Sequence, residues 1–344
     1  MNDRIAYYDI LRAIAIIGVL AIHCTFLGFQ FEFNSFDFNI TVLWKNFINF
    51  SVPLFISLSG FFSANKNVET KENYLLFIKK QIPRVLIPYI IWSILYLGLS
   101  AYFGGAPFNE LFVRFITFQS SPEFYFILLI IQYYLLLPVL KKLASSKGLY
   151  LSLAISLISC VIIFKLRYFN DYLVLQILYT GLFPIWLIFF VFGLYIRNNQ
   201  IKLNNKLIIV LAFIFYVLSI VETLFSHLYF NIEILFAATS VKVSSFLFSL
   251  LILMYAFKNI SMKENKILQY TGEVSFGIFL SHPLFLYYPI VLMVNIFLTP
   301  LFNKRGGGIL LQLLVLFTTY ICCLLFSYIL RKINKKLAIK LLGS

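Results

Sequence analysis

The sequence predicts an all-α fold, a polytopic transmembrane helix bundle of about ten helices with both termini on the cytoplasmic side. Three observations lead there. Hydrophobic residues make up 61% of the 344 residues and charged residues only 12%, for a mean hydropathy of +0.92. A soluble domain carries about twice that share of charge. Apolar runs near the ~20 residues needed to cross a bilayer as a helix recur along the chain. Lysines and arginines collect in the gaps between those runs, on alternate sides.

The runs fall at 7–28, 40–63, 83–103, 124–140, 149–164, 174–196, 206–226, 239–257, 274–298 and 308–330. The first resembles a signal sequence in position, but Asp9 and Arg12 crowd its start and no small-residue cleavage pattern follows. In Ala21-Ile22-His23-Cys24 a histidine stands where a lipoprotein cleavage box needs a small residue, so the run is expected to stay in the protein. The second run contains Lys45, expected to snorkel outward. The third follows Lys79 and Lys80 and has Arg84 at its start. The fourth and fifth are short, with Glu123 just ahead of the fourth. Glu222 interrupts the seventh and Lys242 the eighth, and the two are expected to pair or to line a cavity. His227 lies at the outer end of the seventh, where solvation is expected. The ninth holds His282-Pro283, and the proline disfavours helical backbone at the histidine before it.

Charge placement tests the scheme. With the N-terminus inside, 20 of the 28 basic residues are cytoplasmic: Arg4; Lys66, Lys71, Lys79, Lys80 and Arg84; Lys141, Lys142 and Lys147; Arg197, Lys202 and Lys206; Lys258, Lys263 and Lys266; and Arg331, Lys332, Lys335, Lys336 and Lys340. Arg114, Lys165, Arg167, Lys304 and Arg305 face out, and Arg12, Lys45 and Lys242 fall within spans. This bias sets the orientation. It also explains the net charge of +15 as topology, which argues against a nucleic-acid partner. The loops are short, so residues 1–344 read as one transmembrane domain with no appended esterase-like domain. Cys24, Cys160, Cys322 and Cys323 all lie in apolar runs and read as small buried side chains, with no metal site expected.

Ionisable residues at membrane depth are costly and commonly functional. Arg12 and His23 are 11 residues apart, close to three turns, so they share a helix face about 16 Å apart along the axis. Asp9 lies one turn before Arg12 and can pair with it. Ala13, Ala15, Gly18 and Ala21 permit close helix approach. Spacing alone leaves two readings open: a positioning ion pair with a structural histidine, or a catalytic face.

Tyr8-Asp9-Ile10-Leu11-Arg12-Ala13-Ile14-Ala15 followed by His23 resembles the opening helix of the acyltransferase-3 family of membrane acyltransferases. Three later stretches resemble further spans of that family. They are Val52-Pro53-Leu54-Phe55-Ile56-Ser57-Leu58-Ser59-Gly60-Phe61-Phe62, Lys79-Lys80-Gln81-Ile82-Pro83-Arg84, and Gly272-Glu273-Val274-Ser275-Phe276-Gly277-Ile278-Phe279-Leu280-Ser281-His282-Pro283. Two departures stand out: Gln81 replaces the first arginine of an Arg-x-x-Arg motif, and Glu123-Phe124-Tyr125-Phe126 lacks a histidine that relatives often carry.

The resemblance implies transfer of an acyl group, commonly acetyl, from cytoplasmic acyl-CoA to a hydroxyl of a cell-envelope glycan or lipid-linked sugar. It makes His23, Arg12 and Asp9 the catalytic candidates. Arg84, Lys80 and Lys79 are the candidates for holding acyl-CoA, and Glu123 and His282 for contacting the substrate. The expected location is the inner or cytoplasmic membrane, with membrane lipid around the chain and an enzyme of glycan synthesis as a partner. A different class fits ten helices with a polar interior equally well, namely an exporter or flippase of a glycan or lipid-linked sugar. A sensory or scaffold module is disfavoured by the short loops.

Overall fold

The structure, a computed structural model, describes residues 6–168, 176–259, 265–290 and 305–343. Among these residues every regular element is helical. Helix α1 spans Ala6–Cys24 without a break and tightens into a 3₁₀ turn, Thr25–Gln30. Helix α2 (Phe36–Ile48) begins where Ser35 Oγ accepts the Phe38 N–H at 3.3 Å, satisfying one of the amides a helix start leaves open. Helix α3 (Ser51–Ser63) completes the second apolar run. The run breaks at Asn49, whose buried amide donates to the carbonyls of Ala238 and Thr239 at 3.2 and 3.3 Å.

Helix α4 (Lys71–Gly104) starts well before the predicted residue 83. Thr70 Oγ1 caps Asn73 N–H at 3.2 Å and Glu72 suits the positive end of the helix, so the charged connector is drawn into the helix. At 34 residues it is about 51 Å long, more than a bilayer core requires. Gly105 ends it in the left-handed conformation, φ 61°, with its N–H on Ala101 O. Helix α5 (Phe108–Ile116) has no buried residue, and a 3₁₀ turn, Pro122–Phe124, leads into α6 (Tyr125–Lys142).

Next come α7 (Ser146–Tyr168), α8 (Gln176–Thr180) and α9 (Phe183–Ile196). They are followed by α10 (Asn205–Phe230), α11 (Ile234–Ala237) and α12 (Val243–Lys258). Helices α13 (Lys266–Glu273) and α14 (Ser275–Phe285) precede a π turn, Leu286–Ile290. Helices α15 (Gly307–Ile333) and α16 (Lys335–Leu342) end the chain. Among the described residues, eight helical stretches are long and apolar enough to cross a membrane, and α12 is a shorter apolar helix. The predicted span 274–298 is described only as far as residue 290. Its remainder, the start of the 174–196 span, and the residues Arg4, Lys263 and Lys304 lie outside the described residues.

The chain divides into two compact units. The first comprises residues 1–55, 200–278 and 282–325. Here α1 packs against α13, and α10 against α12 through Ile208, Ala212, Phe248 and Leu251. The small-residue face of α1 does what its composition predicts: Ala13 and Ala15 are fully buried, and a Cβ on Gly18 would meet Ser51 Cβ at 2.9 Å.

The second unit comprises residues 56–199, 279–281 and 326–344. Helix α9 is buried along nearly its whole length, and Tyr133 stacks on Phe190 with ring centroids 4.3 Å apart. Close backbone approach comes from glycine. A Cβ on Gly193 would lie 2.8 Å from Phe61 N, and one on Gly60 would lie 3.1 Å from the carbonyl carbon of Phe190. Ser57 Oγ adds a hydrogen bond to Phe189 O at 2.8 Å, the kind of polar tie that holds helices together at membrane depth. Helix α16 docks on α4, with Trp92 Nε1 donating to Leu341 O at 2.9 Å.

Candidate active site

In the first unit α1 carries all three predicted catalytic residues on one continuous helix. Arg12 Nη1 donates to Asp9 Oδ1 at 3.1 Å, with the Asp9 side chain 5% exposed and that of Arg12 25%. Helix α13 braces this turn: a Cβ on Gly272 would fall 2.6 Å from the Asp9 carbonyl carbon, so only glycine fits. His23 is in the last turn of α1 and is partly buried. The 11-residue spacing on an unbroken helix keeps it about 16 Å along the axis from Arg12.

His282 is brought to His23. The two imidazole centroids lie 5.3 Å apart with their planes 39° from parallel, and His282 is fully buried. The sequence reading expected Pro283 to disrupt the backbone at His282, yet α14 runs through both residues to Phe285. Proline removes one amide donor, but the turn is closed from the other side, with the Leu286 N–H on the carbonyls of His282 and Pro283. The backbone then widens into the π turn. Tyr287 lies in this turn. Tyr287 Oη lies 3.4 Å from His23 Nδ1. The result is a cluster of two imidazoles and a phenol, of which sequence reasoning named only the imidazoles. No sequence pattern marks a π turn; the nearest signal is the proline just before it.

The predicted acyl-CoA residues belong to the second unit. Lys79, Lys80 and Arg84 are exposed on one stretch of α4, and Gln81 beside them is partly exposed. Glu123, expected at an open mouth, is instead 3% exposed in the 3₁₀ turn before α6, where its carboxylate accepts from Ser121 Oγ. The loop leading to it is held by buried hydroxyls: Tyr89 Oη lies 3.3 Å from Ser120 Oγ, which donates to Ser93 Oγ at 2.8 Å. Tyr89 also stacks on Phe118 at 4.3 Å, and Phe118 takes a left-handed φ of 55° to reach it.

Three further expectations change. Lys45 does not snorkel; it is 8% exposed. Lys242 and Glu222 form no ion pair. The Lys242 ammonium donates to Asn46 Oδ1 at 2.9 Å, to Ser219 O at 2.8 Å and to Thr223 Oγ1, while Glu222 accepts from the Ser244 hydroxyl and amide. His227 is held rather than solvated, with Nδ1 2.8 Å from Ile232 O and its ring against Phe33 and Phe38. The cysteines are buried or partly buried, as their apolar surroundings require.

Apolar helices of bilayer length mark a multi-pass membrane protein, and in it His23, in the last turn of the first such helix, meets the buried His282. The acyltransferase-3 family model, described as an acyltransferase domain, matches residues 5–328, and the chain belongs to that family. It is therefore a membrane acyltransferase acting on acceptors other than aminoacyl ones. No curated protein and no solved structure matches the chain.

Proposed function

We propose that this chain is an O-acyltransferase of the inner or cytoplasmic membrane. It moves an acyl group, commonly acetyl, from cytoplasmic acyl-CoA to a hydroxyl of a cell-envelope glycan or lipid-linked sugar. The observation that carries this reading is the His23–His282–Tyr287 cluster on a family acyltransferase domain. Attack of a hydroxyl oxygen on the thioester carbonyl forms the ester C–O bond and breaks the C–S bond. The hydroxyl proton must leave as this happens, and a neutral imidazole near its ordinary pKa is suited to take it and pass it to the departing thiolate.

His23 is the side chain placed for that exchange. We assign the tautomer in which its Nδ1–H donates to Tyr287 Oη, which makes Nε2 the base. His282, packed against it at a tilt of 39°, orients the ring. Lys79, Lys80 and Arg84 offer the anionic end of the donor an exposed cationic stretch that point charges and a guanidinium fork suit.

The test is mass spectrometry of envelope glycans from cells carrying the intact gene, no gene, or the His23→Ala variant at matched protein level. Acyl esters present with the intact gene and absent from the other two are expected. Normal acylation with His23→Ala refutes the reading. Unmodified glycan retained inside cells lacking the gene identifies an exporter instead.

A further inference from the structure

A second polar site lies in the first unit, apart from the histidine cluster. Asp37, Thr41, Lys45 and Asn49 recur every fourth residue on α2, or just past its end, and all four are buried: 3%, 1%, 8% and 0% exposed. A polar stripe of this length inside a membrane helix is costly unless each group is satisfied. The Asp37 end of the stripe is. Asp37 accepts the amides of Gly306 and Ile309 at 2.8 and 3.1 Å, and the Thr41 hydroxyl donates to Asp37 O at 2.7 Å.

The middle is not. Among the described residues the Lys45 ammonium has neither a hydrogen bond nor an ion pair. Lys242 is close enough for the two charges to repel, and its ammonium is surrounded by neutral oxygens. Glu222, the nearby carboxylate, is engaged by Ser244. Two buried cations thus share one nearby carboxylate, and Asp37, two turns from Lys45 on α2, is taken up by the Gly306 and Ile309 amides.

Two buried acceptors flank Lys45 one turn to either side. Asn49 Oδ1 has no partner, and Gln312 Oε1, beside Thr41, has none. Neither amide can be turned round to cure this, since both nitrogens already donate to backbone carbonyls: Asn49 to Ala238 and Thr239, Gln312 to Gly308. An ammonium without a counterion, on a helix face with an unfilled acceptor one turn to either side, calls for a ligand with one anionic group and hydroxyl donors beside it.

We propose that Lys45, Asn49 and Gln312 form a binding site for a sugar bearing an anionic group, a phosphate or a uronate carboxylate. The anion would sit on Lys45 and its hydroxyls on the two amide oxygens. The proposal deepens the acyl-transfer reading and rests on it, because such a sugar is a natural glycan acceptor.

The test uses the purified full chain in detergent, carrying His23→Ala so that turnover plays no part. Thermal shift and calorimetry are run with glucose 1-phosphate, glucuronic acid, inorganic phosphate and neutral glucose. The expected result is saturable stabilisation by one or both sugar anions and at least tenfold weaker binding of glucose and of inorganic phosphate. Preference between glucose 1-phosphate and glucuronic acid identifies the anion. Lys45→Met should abolish the shift and Lys45→Arg keep part of it. Gln312→Leu, which leaves the charge in place, should weaken sugar anions but not inorganic phosphate, and covers the case where Lys45→Met does not fold. Equal binding of glucose and the anions, an unchanged Lys45→Met, or no binding at all overturns the proposal. A protein that binds sugar anions here yet makes no ester in cells leaves this site standing and refutes the acyl-transfer reading instead.

Discussion

Gly272 is where a single methyl group should do the most harm. A Cβ there would lie 2.6 Å from the Asp9 carbonyl carbon and 2.9 Å from its Cα, and the Asp9 oxygen is nearer still. Ordinary contact begins at 3.4 Å, so α13 and α1 must part by at least 0.8 Å. Every atom met is helix backbone, and no rotamer can absorb the change. Overpacking of this kind costs about 1–3 kcal/mol. A displacement approaching 1 Å in a positioned group can cost on the order of 100-fold in rate. Gly272→Ala is therefore expected to lower both the unfolding temperature in detergent and acyl transfer. The control is Gly98→Ala: nothing lies within 4 Å of that position in α4, and the helix should gain roughly 0.5–1 kcal/mol. If Gly272→Ala melts and turns over like the parent protein, the contact between α13 and α1 is not as described and the bracing of Asp9 and Arg12 fails with it.

Two other outcomes follow from the site. Tyr287→Phe removes the hydroxyl at His23 Nδ1 and keeps the ring, so kcat should fall about 5–10-fold, the worth of one hydrogen bond, with little change in KM for the acceptor. A variant with unchanged kcat across pH would show that the phenol does not set the His23 tautomer. Arg12→Gln keeps a donor for Asp9 and loses the charge; it should raise KM for acyl-CoA severalfold while kcat at saturating donor stays within about threefold, as expected when uniform binding is lost.

What could be read from the sequence divides along physical lines. Hydropathy and charge alternation announce long lipid-facing helices, because each depends only on local composition; the runs at 206–226 and 308–330 recur almost to the residue as α10 and α15. Helix ends set by capping were less legible. Thr70 extends α4 upstream through Lys71–Ile82, a stretch whose polarity reads as loop. The α1 face was legible because an 11-residue spacing on one helix needs no tertiary knowledge. The meeting of His23 with His282 depends on packing between residues 259 apart in sequence, and Tyr287 on a π turn that no periodicity announces. Lys45 and Lys242 mislead for the same reason. Snorkelling and pairing are the cheap local solutions, and the fold instead gives Lys242 neutral oxygens from α2, α10 and α11.

The length of α1 decides how labour is shared along it. Side chains on a helix tilt toward its N-terminus, and Arg12 follows this rule, reaching back to Asp9 at 3.1 Å. The guanidinium therefore points away from His23, adding to an axial separation of about 16 Å. A two-carbon acyl group cannot bridge that distance, so Arg12 does not touch the carbonyl whose transfer His23 assists. A donor with a long arm between its acyl end and its phosphates can reach both. On the proposed reaction, His23 then acts on the thioester while Arg12 acts on charge further along the same molecule. This is why their variants should separate kcat from KM, and why the imidazole partners of His23 come from α14 and its π turn rather than from α1 itself.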